Sequence, residues 1–328
     1  MPVTGIFKAN NPYNPILLFL YALLLKLPMF LYPVVPVAEQ PDGFMYRMLL
    51  RWLKPAGDSM PVIYSLIAFL LLVFQALYIN RIVNNNRLMQ KINHLPGMTY
   101  LLVTSLFSEW MYLSSPVVIN TFTIFILSGL CNLYNQNNAR GQIFNIGVMA
   151  GVATFFYFPS LAFGLLALTG IMVIRPFRLP EWIILLVGMA TPYYFLISWL
   201  YLTDRLKEYE VPDVAVTIPV LRETTLGYIA IVMVLLLLIA GASFVQLNLR
   251  RQVVQTRKSW GLVFLYLLFS LFIPFLNETD NFEYWLIAAL PVSVIASAAF
   301  LYPERKWFAT LFHWGLVALV ILNAYFLD

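Results

Sequence analysis

The residues best suited to chemistry surround Asp42, just after the first apolar stretch of the chain. Asp42 stands between Pro41 and Gly43 and begins the segment 42–54, DGFMYRMLLRWLK. A carboxylate here could act as a general base toward an acceptor hydroxyl, or as a metal ligand. Aspartate is also a frequent N-cap of helices, which gives a purely structural alternative. The residue types leave both interpretations open.

The basic residues of the segment 42–54 fall on one side of the helix that its pattern predicts. Arg47, Arg51 and Lys54 lie within about 60° of one another on a helical wheel, opposite the apolar residues. Such an amphipathic helix lies in the plane of the membrane interface. Its cations could hold a lipid phosphate or pyrophosphate. Alternatively, they could extend toward the headgroups of bulk phospholipid.

Two further ionisable residues, Lys26 and Glu109, lie inside apolar stretches. A charged side chain at the bilayer centre costs about 2.5–3.5 kcal/mol on insertion scales, so such groups are usually paired or functional. Lys26 is near the outer end of the first predicted span, and Glu109 is near the outer end of the third. Because the two reach a similar depth, the sequence predicts either a structural ion pair or part of a polar site.

The elements that must position these residues are hydrophobic helices. Of 328 residues, 61% are hydrophobic and 11% are charged, whereas soluble domains carry about 25% charged residues. The sequence therefore predicts an all-α, polytopic transmembrane bundle forming a single integral-membrane domain, 1–328, with no separate soluble domain. About eleven apolar segments are expected: 15–36, 61–80, 96–114, 116–134, 143–158, 160–174, 181–202, 226–247, 259–275, 284–302 and 308–326.

The segments 143–158 and 160–174 are short for membrane spans. Each reaches only about 22–24 Å at the helical rise per residue. Pro159 lies between them, so they predict a broken helical hairpin rather than two independent spans.

The distribution of basic residues orients the bundle. With a cytoplasmic N-terminus, about two thirds of the 20 Lys and Arg residues fall in cytoplasmic segments. The long outer loops are then 37–60 and 203–225, and the C-terminus lies outside. The predicted location is the plasma membrane, which in a bacterium is the inner membrane. Glu278, Asp280 and Glu283 are expected to form a solvated acidic rim.

Composition also excludes several classes of function. One cysteine and two histidines argue against a disulfide framework and a histidine metal centre. The net charge of +5 resides in membrane-flanking loops, so membrane lipids are expected partners and nucleic acid is not. P-loop, G-x-S-x-G and H-E-x-x-H motifs are absent from the sequence. A transporter is disfavoured because no inverted repeat is visible.

The order of these features resembles the GT-C integral-membrane glycosyltransferases. In those enzymes, an apolar span with a basic residue near its end is followed by an acidic outer loop and a tyrosine. The resemblance extends over most of 15–302. It rests on the segment KLP at 26–28, Asp42, Tyr46, the SSP at 114–116, the Gly-rich helix, break and following helix at 147–177, and the aromatic segment 281–300.

The resemblance implies a sugar transferase that uses a polyprenyl-phosphate-linked sugar on the outer face of the membrane. Asp42 would be the catalytic base. Lys26, Arg47 and Arg51 would stabilise the lipid phosphate, and Tyr46, Glu109 and Asn120 would complete the substrate-binding site.

Three departures from the family pattern limit this interpretation. Gly43 stands where the family commonly has Glu, Asn120 replaces a second carboxylate, and Phe156 and Tyr157 replace a polar residue at the helix break. No cofactor is therefore predicted, and a divalent metal is not favoured. The alternative function is a non-catalytic scaffold or subunit in envelope assembly or secretion.

Overall fold

The computed structural model describes residues 3–209, 216–217, 224–276, 281–303 and 305–326. Much of the predicted outer loop 203–225, and the predicted rim residues Glu278 and Asp280, lie outside these ranges. The described regular structure is helical, with an isolated antiparallel bridge between Asp42 and Tyr157. The α-helices are α1 (Val3–Lys8), α2 (Asn14–Leu25), α3 (Pro28–Leu31), α4 (Phe44–Gly57), α5 (Val62–Asn85), α6 (Leu95–Val103), α7 (Ser115–Asn132), α8 (Arg140–Thr154), α9 (Ala162–Ile174), α10 (Leu179–Leu202), α11 (Thr225–Leu249), α12 (Val254–Phe272), α13 (Leu286–Leu301) and α14 (Lys306–Phe326).

Within the described residues, six helices are long and apolar enough to cross a membrane, judged by length and composition. The prediction of an all-α bundle with several helices long and apolar enough to span a membrane is therefore confirmed. The six are Val62–Asn85, Ser115–Asn132, Leu179–Leu202, Thr225–Leu249, Val254–Leu276 and Phe282–Leu301; shorter apolar helices are Asn14–Leu25, Phe158–Ile174 and Trp307–Asn323.

Every predicted apolar segment contains a helix, but several helices are shorter than predicted. The first ends at Leu25 rather than continuing to residue 36, and Pro28 begins a separate short turn. The third ends at Val103, where the Ser105 hydroxyl donates to the Leu101 carbonyl at 2.7 Å. A count of about eleven membrane segments thus stays a prediction.

The core of the bundle is α13. In the most apolar 18-residue window within Phe282–Leu301, 94% of the residues are buried, against 22% for the corresponding windows in α10 and α11. Small residues allow neighbouring helices to approach α13 closely. At Gly241 of α11, an added Cβ would lie 2.2 Å from the carbonyl oxygen of Ile295 in α13, so the two backbones are in direct contact.

Long-range hydrogen bonds group the connecting segments into two opposite ends. At the first, which we call the basic end, cationic side chains donate to carbonyls at helix C-termini: Lys8 to Leu301 at 2.6 Å, and Lys258 to Ile174 at 2.7 Å. Cations are favoured there because helix C-termini carry partial negative charge. The other, which we call the Asp42 end, contains 39–46, 108–115, 155–161 and 281–285. It holds the candidate site.

Candidate functional site

The loop that carries Asp42 is bonded to the break between α8 and α9. Because α8 ends at Thr154, the carbonyls that follow have no partner within that helix. The Gly43 amide donates to Phe156 at 2.9 Å, and the Met45 amide donates to Phe155 at 2.8 Å. The predicted break around Pro159 is therefore present, and it supplies acceptors for the first turn of α4.

Gly43 is required by this contact. A Cβ added at Gly43 would lie 2.1 Å from the carbonyl oxygen of Phe155, which is backbone and cannot move aside as a side chain can. A glutamate at this position, as expected from the glycosyltransferase pattern, would collide with the helix break. The departure at Gly43 thus follows from how closely the two segments pack.

The Asp42 carboxylate is held from two directions and is 2% exposed. Its Oδ2 accepts from the Glu39 amide at 2.9 Å, and its Oδ1 accepts a short hydrogen bond from the Ser115 hydroxyl. The N-cap position of α4 is Gly43, and no side chain caps that helix. The interpretation of Asp42 as the N-cap of its own helix is therefore wrong.

Burial raises the pKa of Asp42 from 3.8 to about 6. The hydrogen bonds from Ser115 and from the Glu39 amide act in the opposite direction, as does the positive charge of Arg47. A carboxylate with a pKa near the working pH is suited to general-base catalysis, because its ionised form is available and still accepts a proton readily.

Asp42 lies in the wall of a pocket of about 340 Å³. Among the described residues that line it, three guanidinium groups, from α4 and from the segment after α10, stand beside one carboxylate, so this part of the lining is net positive. Aromatic and other apolar side chains complete the wall. The lining residues are Asp42, Arg47, Arg51, Arg205, Phe44, Met48, Trp52 and Trp199.

Arg47 has a structural function as well as its place in the pocket. Its Nε donates to the Asp42 carbonyl at 3.1 Å, and one terminal nitrogen donates to the Gln40 carbonyl at 3.1 Å and to the Glu39 carbonyl at 3.3 Å. These bonds tie the loop 39–42 to α4. Arg47 therefore fixes the position of Asp42, and Arg51 and Arg205 provide the remaining positive charge of the pocket.

Tyr46 is buried and fixes α4 from its other side. Its hydroxyl donates to the Leu113 carbonyl at 3.1 Å, in the segment before α7. Burial raises the pKa of Tyr46 far above its usual range, so the hydroxyl remains protonated and remains a donor. Tyr46 is absent from the pocket lining, and its contacts are those of a positioning residue.

Three of the predicted substrate-binding residues lie away from the pocket: Lys26, Glu109 and Asn120. Lys26 is fully buried and donates to the Thr104 carbonyl at 3.0 Å, so its described contact is with backbone and not with Glu109. Asn120 is buried between α7 and α13 and donates to the Leu286 carbonyl at 3.1 Å. The predicted ion pair between Lys26 and Glu109 is wrong.

Sequence reasoning missed several residues at this end. Glu283 was expected in a solvated rim, but it is 6% exposed and accepts from the Tyr112 hydroxyl at 2.7 Å. Its position among aromatic residues, NFEYW, was the available signal for burial. Nothing local in the sequence indicated that Ser115 would bond Asp42, or that Trp199 and Arg205 would line the same pocket. In the described part of the chain, no group of three His, Cys, Asp or Glu residues could hold a metal ion.

Comparison with known proteins gives a family but no function. No curated protein and no solved structure matches the chain. A family of unknown function, DUF6427, matches residues 47–327. This range begins at Arg47 of α4 and includes every helix from α5 to α14. Because the match covers most of its length, the chain belongs to the DUF6427 family.

Proposed function

We propose that this protein transfers a sugar from a polyprenyl-phosphate donor to an envelope acceptor at the outer face of the plasma membrane. One observation carries the proposal: the buried carboxylate of Asp42 shares a pocket with the guanidinium groups of Arg47, Arg51 and Arg205. Such a site offers a base and a phosphate-binding surface side by side. The resemblance to GT-C glycosyltransferases supports the same assignment.

In the proposed reaction, Asp42 accepts the proton of an acceptor hydroxyl while that oxygen bonds to the anomeric carbon of the sugar. The bond between this carbon and the lipid phosphate breaks, and the phosphate leaves with the electron pair. Arg51 and Arg205 stabilise the developing negative charge, since guanidinium groups bind phosphate oxygens in a bidentate manner. No cofactor is assigned to this step.

The character of α4 supports a lipid-linked donor. Its polar and apolar residues occupy different faces, and the Trp52 ring in the pocket wall is 75% exposed. Tryptophan is enriched at the membrane–water interface. A pocket beside such a helix would receive the headgroup of a membrane lipid without removing its chain from the bilayer. We place this end outside and the basic end in the cytoplasm, in line with the distribution of Lys and Arg.

A non-catalytic scaffold is the second candidate, and the exposed faces of α10 and α11 favour it. Only 22% of the apolar window in each helix is buried within the chain. On the outer half of α10, Tyr194, Phe195 and Tyr201 are each at least 66% exposed. Lipid tails could cover these faces, and so could helices of another membrane protein.

The test is mass-spectrometric profiling of envelope glycans and lipid-linked sugars in wild-type, deletion and Asp42→Asn strains. The matched control is Asp58→Asn, the same substitution at an exposed residue that ends α4. We expect the deletion and Asp42→Asn strains to lack the same sugar addition and to accumulate its donor. The Asp58→Asn strain should match wild type, and both variant proteins should be present at normal abundance.

The proposal fails if the deletion strain has a wild-type profile. It also fails if the deletion strain alone loses the sugar while Asp42→Asn retains it, because the chain would then act without its proposed base. That second result would favour the scaffold.

A further inference from the structure

A second pocket, of about 440 Å³, lies at the basic end of the bundle, opposite Asp42. It is formed by the end of α5, the turn that follows it, and the connection between α11 and α12. Its charged and polar residues are Arg87, Arg251, Asn84, Gln90, Gln252 and Thr256, and its apolar residues are Met89, Ile92 and Val253.

Three hydrogen bonds, one of them buried, hold the two sides of this pocket together. The indole nitrogen of Trp260 donates to the Leu88 carbonyl at 2.8 Å, and the Gln252 side chain donates to the same carbonyl at 3.3 Å. The Thr256 hydroxyl lies 3.4 Å from the carbonyl oxygen of Arg87. The residues just before α12 and its first two turns thus hold the turn after α5, so the pocket belongs to the packed structure.

Arg87 has a backbone conformation that side-chain-bearing residues seldom adopt. Its φ is 51°, in the left-handed region, which costs a residue other than glycine of order 1–3 kcal/mol. The Leu88 amide donates to the Val83 carbonyl at 3.0 Å and closes the turn. The direction in which Arg87 leaves the backbone is therefore set before any ligand binds.

The charge of the pocket specifies the charge of its ligand. The lining residues that the structure describes include two guanidinium groups and no carboxylate. Within the described part of the chain, neither Arg87 nor Arg251 forms an ion pair. Val253 and Thr256 bring the N-terminal end of α12, a helix of 19 residues, to the pocket wall, and the first backbone amides of a helix have no acceptor within it. These charges favour an anion as the ligand.

The rim of the pocket points to a lipid as the source of that anion. Ile92 is 54% exposed and Val253 is 66% exposed, although both are β-branched aliphatic residues beside a charged site. Acyl chains would cover them while the headgroup lies between the arginines. We propose that this pocket binds the phosphodiester headgroup of an anionic phospholipid in the membrane leaflet at the basic end.

The test is native mass spectrometry of the full-length protein in detergent, titrated with phosphatidylglycerol. Phosphatidylcholine is the zwitterionic control, and inorganic phosphate is a competitor without acyl chains. The variant is Arg87→Gln with Arg251→Gln. Its matched control is Arg140→Gln with Arg178→Gln, which removes the same charge from exposed residues at the same end but outside the pocket.

We expect wild type and the control variant to bind phosphatidylglycerol equally, and to bind phosphatidylcholine at least about tenfold more weakly. The Arg87/Arg251 variant should lose about tenfold in affinity for phosphatidylglycerol while its Tm stays near that of the control variant. Equal losses in the two variants would overturn the proposal, because the attraction would then come from net charge. Displacement of the lipid by millimolar phosphate would also overturn it, in favour of a soluble anion. Neither result bears on Asp42.

Discussion

The Ser115 hydroxyl donates to Oδ1 of Asp42 and so joins the first turn of α7 to the loop before α4. This bond favours the ionised carboxylate, whereas burial favours the protonated one. The ionisation of Asp42, the proposed base, therefore depends on α7, a helix that lies far from it in the sequence. Its pKa reflects the balance between these two effects.

The first prediction concerns the stability of the protein as a function of pH. Because burial raises the pKa of Asp42 to about 6, the folded protein holds a proton there between about pH 4 and pH 6, whereas the unfolded chain has released it. The free energy of unfolding contributed by this group is thus fully present below pH 4 and falls as the pH rises through 6. Relative to Asp42→Asn, wild type should lose stability across this interval, by up to about 3 kcal/mol.

Thermal unfolding of the purified protein in detergent, at pH 4 to 8, would measure this difference. Asp58→Asn is the control, and the difference in Tm between this variant and wild type should not change with pH in the same way. A difference between wild type and Asp42→Asn that is constant over the whole interval would contradict the raised pKa.

The second prediction concerns Gly43→Ala. The added methyl group would lie 2.1 Å from the Phe155 carbonyl oxygen. The hydrogen bonds from the Gly43 and Met45 amides to the carbonyls at the helix break must therefore lengthen or break. We expect a cost of about 1–3 kcal/mol, typical of overpacking at a backbone contact, and lower abundance of the protein in the membrane.

The matched control is Gly141→Ala, in the first turn of α8, where an added Cβ meets nothing within 4 Å. This change should be neutral or slightly stabilising, because alanine is the better helix former. Equal Tm values for the two variants would show that the loop is not held against the break.

The sequence predicted local features of the site and missed its long-range contacts. Arg47 and Arg51 are about one helical turn apart in α4, so helical periodicity alone places them together, just after the loop that carries Asp42. Arg205 reaches the pocket from beyond α10, a contact that the packing of α10 on α8 determines and that no local pattern encodes. Lys26 and Glu109 were predicted at a similar depth in the membrane. Depth does not determine the direction in which a side chain leaves its helix, and for this reason the predicted ion pair was wrong.

For the fold, the continuous apolar runs located the long helices but not all of their ends. The apolar stretch 96–114 continues beyond α6, although the helix ends at Val103. Hydropathy does not distinguish a helical residue from an apolar residue in a turn. At Ser105 the side-chain hydroxyl bonds a backbone carbonyl and competes with helical hydrogen bonding.

The third prediction separates positioning from substrate binding at Tyr46. Tyr46→Phe removes the bond to the Leu113 carbonyl and keeps the ring. Because both groups are buried, we expect the free energy of unfolding to fall by about 1–3 kcal/mol, even without any substrate. Tyr32→Phe is the control, since Tyr32 is 61% exposed. If only substrate affinity changed and Tm did not, Tyr46 would be a binding residue.

The fourth prediction concerns the ion pair between Arg175 and Glu181 at the basic end. Two guanidinium nitrogens of Arg175 donate to the two carboxylate oxygens, at 3.0 and 3.2 Å, and the side chains are 9% and 8% exposed. The third nitrogen donates to the Gln136 carbonyl at 2.6 Å and to the Leu133 carbonyl at 3.2 Å. One side chain thus joins the end of α7, the end of α9 and the start of α10.

Glu181→Gln leaves that guanidinium largely buried without its counter-charge, so we expect a loss of roughly 3–5 kcal/mol in the free energy of unfolding. Arg175→Lys keeps the charge but cannot form the paired bonds, and should also lower Tm. Arg178→Lys, at an exposed residue three positions along, should leave Tm unchanged. A Tm for Glu181→Gln equal to that of Arg178→Lys would mean that the pair adds nothing to stability, and that the carbonyl bonds alone hold these three helix ends.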